Sequence, residues 1–162
     1  MKRAVGLGEL LVSGDASDVL VIYALGSCLG VAVHDPVARV GGLLHAVLPS
    51  AGIDRPLAAV RPCMFVDTGV PELISECLRA GARRERLVLR VAGGASLPAA
   101  RSSGCDRLEI GKRNLLALEE VLRTIELGLH ARDVGGSLPR TLWIEVGSGS
   151  VGLKVNGHVR VL

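Results

Sequence analysis

The stretch from residue 23 to residue 49 constrains the fold more strongly than any other part of the chain. It predicts a strand, a Gly-Ser-Cys turn, a second strand, an Asp-Pro turn and a third strand. With residues 35–38 as a four-residue hairpin loop, the ladder places Cys28 directly opposite His45. Directly opposed side chains share one face of a sheet, with Cβ atoms roughly 4.5–5.5 Å apart. The sequence therefore predicts a thiol beside an imidazole.

A cysteine nucleophile needs this arrangement, because a base must lie close enough to take the thiol proton. The prediction depends on register, since a bulge at the two glycines 41–42 would turn His45 to the other face. A single histidine in an apolar strand is more often structural, so the pairing with Cys28 carries the catalytic hypothesis. We expect His34 and His158, which border turns, to face solvent.

Length and composition limit the classes of protein to consider. The 162 residues fit one domain, residues 1–162, that is large enough to bury a core. No apolar run approaches the ~18 residues of a membrane span, and the first residues lack a signal-peptide pattern. We therefore expect a cytoplasmic protein that does not insert into membranes. With a net charge of +3 and three aromatic residues, nucleic-acid binding is not expected.

The four cysteines form neither a C-x-x-C pair nor a zinc pattern with histidines, so we expect no metal site. A cytoplasmic chain also argues against disulfides. Cys63 and Cys77 fall in apolar segments and are predicted to be core residues, while Cys105 lies in a polar loop. Only Cys28 occupies a glycine-flanked turn after an apolar strand.

Hydrophobic periodicity predicts the remaining elements. Strands are predicted at 4–12, 18–25, 28–34, 39–48, 61–66, 87–92, 141–146, 150–155 and 158–161. Helices are predicted at 70–80 and 114–127, and residues 49–62, with three prolines, are predicted to form a loop at the edge of the site. Many strands with two helices between them predict an α+β fold, in which mixed, β-sandwich-like sheets have both helices packed outside.

Several segments resemble one family. Residues 25–28, the hairpin turn at 35–36 and residues 45–49 resemble the chemoreceptor glutamine deamidase family, CheD. Further likenesses follow in the same order at residues 65–68, 92–96, 110–114 and 133–136. Each segment is short, but together they cover nearly the whole chain.

The resemblance implies a cytoplasmic hydrolase that converts selected glutamines of methyl-accepting chemotaxis receptors to glutamates. It implies a fold related to that of a glutamine-deamidating toxin, and a CheC-type phosphatase as a further partner. By matching position it assigns Cys28 as the nucleophile and His45 as the general base.

Thiol chemistry accounts for such a reaction without any metal or organic cofactor. The Cys28 thiolate attacks the carboxamide carbon, and backbone groups around Gly26 and Ser27 stabilise the oxyanion. His45 then gives its proton to the leaving ammonia and activates the water that hydrolyses the thioester. Further candidates for lining the site are Thr68, Gly93, Gly94 and Ser96.

The sequence departs from the family pattern at Ile22. The family places a threonine there, six residues before the cysteine, to orient the histidine, and Ile22 cannot form a hydrogen bond. Strand alternation points the hydroxyl of Tyr23 to the opposite face. An aromatic residue expected soon after the second glycine turn is also replaced, by Leu97 and Pro98.

Three hypotheses follow from the residues and the resemblance. The chain is an active receptor deamidase, or a weakened relative that binds a receptor or CheC with little turnover, or another Cys-His amidase or transamidase on the same fold. Retention of Cys28 and His45 favours the first hypothesis, and Ile22 favours the second.

Overall fold

The computed structural model describes residues 1–96 and 110–162. Within these ranges the chain forms two five-stranded mixed sheets with helices packed outside, so the predicted α+β fold is confirmed. The predicted loop at 97–109, with Cys105, Leu97 and Pro98, lies outside the described residues. None of the described helices has the length and hydropathy needed to cross a membrane.

The first sheet contains both ends of the chain. Its strands, in spatial order, are β1 (Lys2–Ala4), β3 (Val19–Leu25), β8 (Arg140–Glu145), β9 (Val151–Val155) and β10 (His158–Val161). Only the β1–β3 pair is parallel. The predicted Asn-Gly turn joins the last two strands, and both of its residues have positive φ, as a two-residue hairpin requires.

The second sheet carries the predicted hairpin at its centre. Its strands, in spatial order, are β2 (Leu10–Ser13), β5 (Val40–Ala46), β4 (Leu29–Asp35), β6 (Val88–Gly93) and β7 (Ala131–Val134). Every residue of β4 and β5 is buried, because this sheet is the middle of three layers. The last strand is absent from the predicted elements, and it pairs in parallel with β6.

The helices lie on the side of the second sheet away from the first. They are α1 (Arg55–Val60), α2 (Val66–Arg79) and α3 (Ile110–Thr124). One apolar core fills the space between the sheets, and includes Leu20, Ile22, Leu43 and Leu142. A second core lies between the second sheet and the two longer helices, and includes Val31, Leu44, Leu73 and Leu118.

The hairpin register differs from the prediction by two residues. The loop is Pro36–Arg39, Asp35 pairs with Val40, and His45 therefore lies opposite Gly30. Asp35 remains in the strand because its carboxylate is buried and accepts hydrogen bonds from loop N–H groups. A two-residue shift preserves the alternation of side chains, so Cys28 and His45 still belong to one face.

The predicted first strand at 4–12 is wrong in its continuity. It is two strands, β1 and β2, that belong to different sheets, and the chain crosses between the sheets at residues 5–9. Gly8 has φ 65°, a left-handed conformation that interrupts an extended strand.

Two further predictions need correction. The expected loop at 49–62 contains α1, whose first turn is capped by the Asp54 carboxylate. The expected strand at 61–66 is instead a short 3-10 helix that leads into α2. His34, expected in solvent, is only 4% exposed, and its Nε2 lies 2.9 Å from the carbonyl oxygen of Val146. Proximity to a turn did not predict exposure because the other sheet covers this turn.

A buried ion pair anchors the hairpin loop. Asp35 is fully buried and accepts hydrogen bonds from the guanidinium of Arg86 at 2.7 and 3.0 Å and from the backbone N–H of Arg83 at 2.8 Å. The guanidinium of Arg86 is the main cause that holds the pKa of Asp35 well below its usual range. The carboxylate therefore stabilises the fold above the unfolded-state pKa, and this contribution is lost as the pH falls through the folded-state pKa.

We expect Asp35→Ala to lower the free energy of unfolding by about 2–3 kcal/mol, because it removes the acceptor of the Val37, Ala38 and Arg83 N–H groups and the partner of the partly exposed Arg86 guanidinium. Urea unfolding at neutral pH measures this change. The control is Glu120→Ala, which removes the partner of Arg123 in an exposed ion pair and should leave the unfolding midpoint nearly unchanged. Equal unfolding midpoints for the two variants would contradict the anchoring role of Asp35.

Candidate active site

The nucleophile turn, residues 26–28, joins β3 to β4 at one end of the sandwich. The carbonyl of Gly26 accepts a hydrogen bond from the N–H of Ala95, and that of Cys28 accepts one from the N–H of Gly94, both at 2.9 Å. The carbonyl of Ser27 accepts one from a side chain of α3. All three carbonyls of the turn therefore point into the protein.

The N–H groups of the same turn are left for another partner. Within residues 1–96 and 110–162, the N–H groups of Ser27 and Cys28 donate no hydrogen bond to the backbone of another residue. Two adjacent free donors beside a thiol are what an oxyanion hole requires.

The second glycine turn, residues 93–96, packs directly against the nucleophile turn. Gly93 has φ 117°, and a Cβ atom there would lie 2.1 Å from the carbonyl oxygen of Cys28. Only glycine meets both conditions. The N–H of Ser96 donates to the carbonyl of Gly136, and the N–H of Gly135 donates to that of Gly93, which closes the far side of the turn.

His45 is held through its backbone and its ring by the crossing segment, residues 5–9. Its N–H donates to the carbonyl of Glu9, and its carbonyl accepts from the N–H of Gly8, both at 2.9 Å. Its Nδ1 lies 3.4 Å from the carbonyl oxygen of Val5. The side chain is only 5% exposed.

The contact with Val5 favours one tautomer of the His45 ring. A carbonyl oxygen only accepts hydrogen bonds, so the contact requires a proton on Nδ1 of His45. The Nε2 atom then carries a lone pair, and within the described part of the chain it has no hydrogen-bond partner. A buried nitrogen without a partner is a feature that catalytic groups share.

Cys28 immediately precedes the paired residues of β4, two positions before Gly30, the residue opposite His45. Diagonal pairs have Cα atoms roughly 7–8 Å apart, a distance that side chains can span. Cys28 packs against the core between the sheets, which also contains Val5. The two proposed catalytic residues thus lie on one face at the end of the sandwich, but without the direct opposition predicted from the sequence.

Burial sets the protonation state of both groups. It raises the pKa of the Cys28 thiol, and it lowers the pKa of His45, although the Val5 carbonyl and the charge of Glu9 oppose the latter shift. At neutral pH the resting pair is therefore a neutral thiol and a neutral imidazole.

Comparison with known proteins identifies the family of the chain. Residues 47–155 match the family model described as CheD chemotactic sensory transduction. The chain is 40% identical over 158 residues to the probable chemoreceptor glutamine deamidase CheD of Solibacter usitatus, covering 98% of this chain and 91% of that protein. The chain belongs to the CheD family.

Two other CheD proteins are similarly close. Probable chemoreceptor glutamine deamidases of Symbiobacterium thermophilum and Pyrococcus abyssi are 42% and 37% identical, over 92% and 96% of this chain and 89% and 93% of theirs. The family model begins two residues after His45. The alignment with the Solibacter protein covers all but four residues of the chain, 162 minus 158, and so includes Cys28 and His45.

At the CheD threonine position, Ile22 is fully buried beside the site. Its Cδ1 atom lies 3.1 Å from the place where a Cβ on Gly30 would be, and Gly30 is directly opposite His45. Ile22 therefore forms an apolar wall there. Thr68 was predicted to line the site. Its hydroxyl donates a hydrogen bond to the carbonyl of Pro62 at 2.6 Å, not to an imidazole.

A pocket of about 420 Å³ opens beside His45, and the crossing segment forms one of its walls. Its other wall is Tyr23 and Ala24, where β3 has an irregular register and Ala24 has φ 54°. The sequence correctly predicted that the side chains of Tyr23 and Ile22 lie on opposite faces of the sheet. It did not predict that Tyr23 would line the histidine pocket, because the irregularity in β3 has no glycine to mark it.

Asn114 is a site residue that the sequence prediction did not include as one. It is fully buried, and its Nδ2 donates to the carbonyls of Ser27 and Val47, both at 3.0 Å. One signal was present: an asparagine falls on the apolar stripe of α3, where a polar side chain needs a specific partner. Among the described residues, no cluster of three or more His, Cys, Asp or Glu side chains is arranged to hold a metal ion.

We expect Asn114→Asp to loosen the nucleophile turn, because a carboxylate cannot donate to the two carbonyls. The free energy of unfolding should fall by at least about 2 kcal/mol, and Cys28 should react faster with iodoacetamide as its turn opens. Urea unfolding and peptide-resolved alkylation measure the two effects. The matched control is Asn156→Asp, in the exposed turn between β9 and β10, which should change neither. Unchanged alkylation of Cys28 in Asn114→Asp would contradict the anchoring role.

Proposed function

We propose that this member of the CheD family deamidates glutamine side chains of chemoreceptors, with Cys28 as nucleophile and His45 as general base. A cytoplasmic location is part of the proposal. The names of its relatives, chemoreceptor glutamine deamidases, support the substrate class. The observation that carries the assignment of residues is the buried, unpartnered Nε2 of His45 on the face that Cys28 shares.

The first step forms a bond between sulfur and the carboxamide carbon of glutamine. Because the resting thiol is neutral, its proton passes to Nε2 of His45 as the sulfur attacks. The carbonyl oxygen becomes an oxyanion, and the free N–H groups of Ser27 and Cys28 are the donors placed to stabilise it. Glycine at position 26 lets a receptor segment approach this turn closely.

The second step breaks the carbon–nitrogen bond. The imidazolium of His45 returns its proton to the leaving nitrogen, so ammonia departs and a thioester remains on Cys28. A water molecule, deprotonated by the same Nε2, then adds to the thioester carbon. Collapse of that intermediate releases glutamate and restores the thiol, so the protein is unchanged after each turnover.

In this proposal the carbonyl of Val5 performs the orienting role that the family gives to a threonine. It fixes the tautomer in which Nε2 of His45 is basic, and it stabilises the imidazolium that forms during the reaction. The negative charge of Glu9 acts in the same direction.

The second candidate function is a weakened relative that binds a receptor or a CheC-type phosphatase with little turnover. Ile22 favours this alternative, because an isoleucine cannot position an imidazole. The two candidates differ in one measurable quantity, which is turnover by Cys28.

Mass spectrometry of receptor cytoplasmic fragments incubated with the protein tests the proposal. We expect the wild type to convert specific glutamines to glutamates, and Cys28→Ala to convert none. His45→Gln should lose roughly 10²–10⁴-fold in rate. The matched control is Cys63→Ala, which removes a half-buried thiol outside the site and should retain activity.

The outcomes separate the two candidates. Conversion that depends on Cys28 supports the deamidase. If the wild type and Cys28→Ala both bind the receptor and neither converts any glutamine, the protein is the non-catalytic regulator and the deamidase proposal fails.

The pKa directions predict the pH dependence. His45 must be neutral to accept a proton, and its pKa is lowered, so kcat/KM should stay flat to below about pH 6.5 and fall only when the imidazole protonates. Alkylation of Cys28 in the resting protein should rise only above about pH 8.5, because burial raises its pKa.

His45→Gln is the control for the alkylation profile. It should leave the midpoint of Cys28 alkylation unchanged, since no thiolate–imidazolium pair exists before substrate binds. Rapid alkylation well below pH 8.5 that disappears in His45→Gln would show a resting ion pair and contradict the proton transfer described above.

A further inference from the structure

The outer face of the first sheet carries a cleft of about 500 Å³ that the fold does not use. We call it the Tyr23–Trp143 cleft, and its lining residues are Lys2, Val19, Val21, Tyr23, Thr141, Trp143 and Lys154. The two long helices cover the second sheet, and within the described residues no helix covers this face.

The distribution of aromatic residues makes this cleft unusual. The chain has one Phe, one Tyr and one Trp, and only Phe65 lies in the core. The other two line the cleft, and Tyr23 is 53% exposed. Exposed aromatic side chains in a cleft are typical of binding surfaces, because each ring offers a large contact area at a small entropic cost.

The sheet is built to hold the indole ring in place. A Cβ atom on Gly152 would lie 2.1 Å from the ring of Trp143, so the absence of a side chain on β9 lets the ring lie flat across its neighbour. A ring fixed in this way loses little conformational freedom when a partner binds.

The cleft adjoins the pocket of the proposed base. Tyr23 lines both the cleft and the pocket beside His45. The Tyr23 side chain therefore separates the cleft from the pocket beside His45. Residues one turn apart on a helix are about 5–6 Å apart at their Cβ atoms, so a helix could present one side chain to the pocket and its neighbour to the adjoining cleft.

The charges of the cleft select the chemistry of its occupant. Lys2 and Lys154 border the apolar floor, and no carboxylate is among the lining residues. The ammonium group of Lys2 lies 5.6 Å from the centre of the Tyr23 ring. A segment with apolar side chains flanked by carboxylates complements this surface.

We propose that the Tyr23–Trp143 cleft binds the receptor helix on either side of the target glutamine, through apolar side chains one turn away and carboxylates beyond them. This inference rests on the proposed function, and it adds the recognition site. The cleft selects which glutamines reach Cys28, because only a segment that fills it presents its glutamine to the pocket.

Binding measured without turnover tests the inference independently of catalysis. In the Cys28→Ala background, we compare Lys154→Glu and Trp143→Leu with the parent for affinity to a receptor cytoplasmic fragment. Both substitutions should weaken binding by about tenfold or more. The matched control is Arg123→Glu, an exposed residue of α3 on the opposite side of the molecule, which carries the same change of charge and should not alter affinity.

A charge exchange identifies the contact. The probes are a helical peptide with one glutamine, leucines one turn away and glutamates beyond, and the same peptide with lysines in place of the glutamates. Lys154→Glu should prefer the lysine peptide, and the parent should prefer the glutamate peptide. Circular dichroism and urea midpoints establish that each variant is folded.

With the active protein, Lys154→Glu should raise KM for the receptor fragment and leave kcat within about twofold, as expected for a lost binding contact. Equal affinities for Lys154→Glu, Trp143→Leu and their parent would overturn the inference. The inference would also be overturned if Arg123→Glu weakened binding as much as Lys154→Glu does, because the effect would then come from long-range attraction by net charge. If binding follows the expected pattern but the wild type converts no glutamine, the docking site stands and the deamidase proposal fails.

Discussion

The contact between two glycine turns is the constraint on which the site depends. The N–H groups of Gly94 and Ala95 donate hydrogen bonds to the carbonyls of Cys28 and Gly26. The two turns lie so close together that there is no room for a side chain at position 93. Because these carbonyls point inward, and Asn114 holds the carbonyl between them, the N–H groups of the turn point outward. In the proposed reaction, the thiol and the oxyanion donors would therefore be held in position by backbone geometry before any substrate binds, and preorganisation of this kind makes electrostatic stabilisation effective.

The crossing segment is the second constraint, and it follows from the topology. Because β1 and β2 belong to different sheets, residues 5–9 must pass over the end of the sandwich, where His45 lies. The segment covers the imidazole and supplies both the Val5 carbonyl and the charge of Glu9. A single long first strand, as the sequence predicted, would leave His45 without these partners. The error in the predicted strand and the environment of the base therefore have the same cause.

The sequence predicted local features well and tertiary ones poorly. The hairpin, the two longer helices and the last three strands follow from periodicity and turn residues. The hairpin register does not follow from these local signals, because it depends on the Asp35 carboxylate, which pairs with Arg86 far along the chain. Cys28 and His45 still belong to one face of the sheet only because the shift was two residues and not one. Asn114 and Tyr23 were missed as site residues because their roles come from contacts between distant segments.

The exchange of threonine for isoleucine at position 22 has a physical consequence that favours activity. A hydroxyl both donates and accepts, so it permits either tautomer of a neighbouring imidazole, whereas a carbonyl such as that of Val5 permits only one. With Nδ1 committed to Val5, a hydroxyl at position 22 is not needed to make Nε2 basic. Ile22 instead fills the core beside Gly30. The loss of the threonine therefore does not by itself imply the loss of catalysis, and the buried, unpartnered Nε2 is the stronger indication of function.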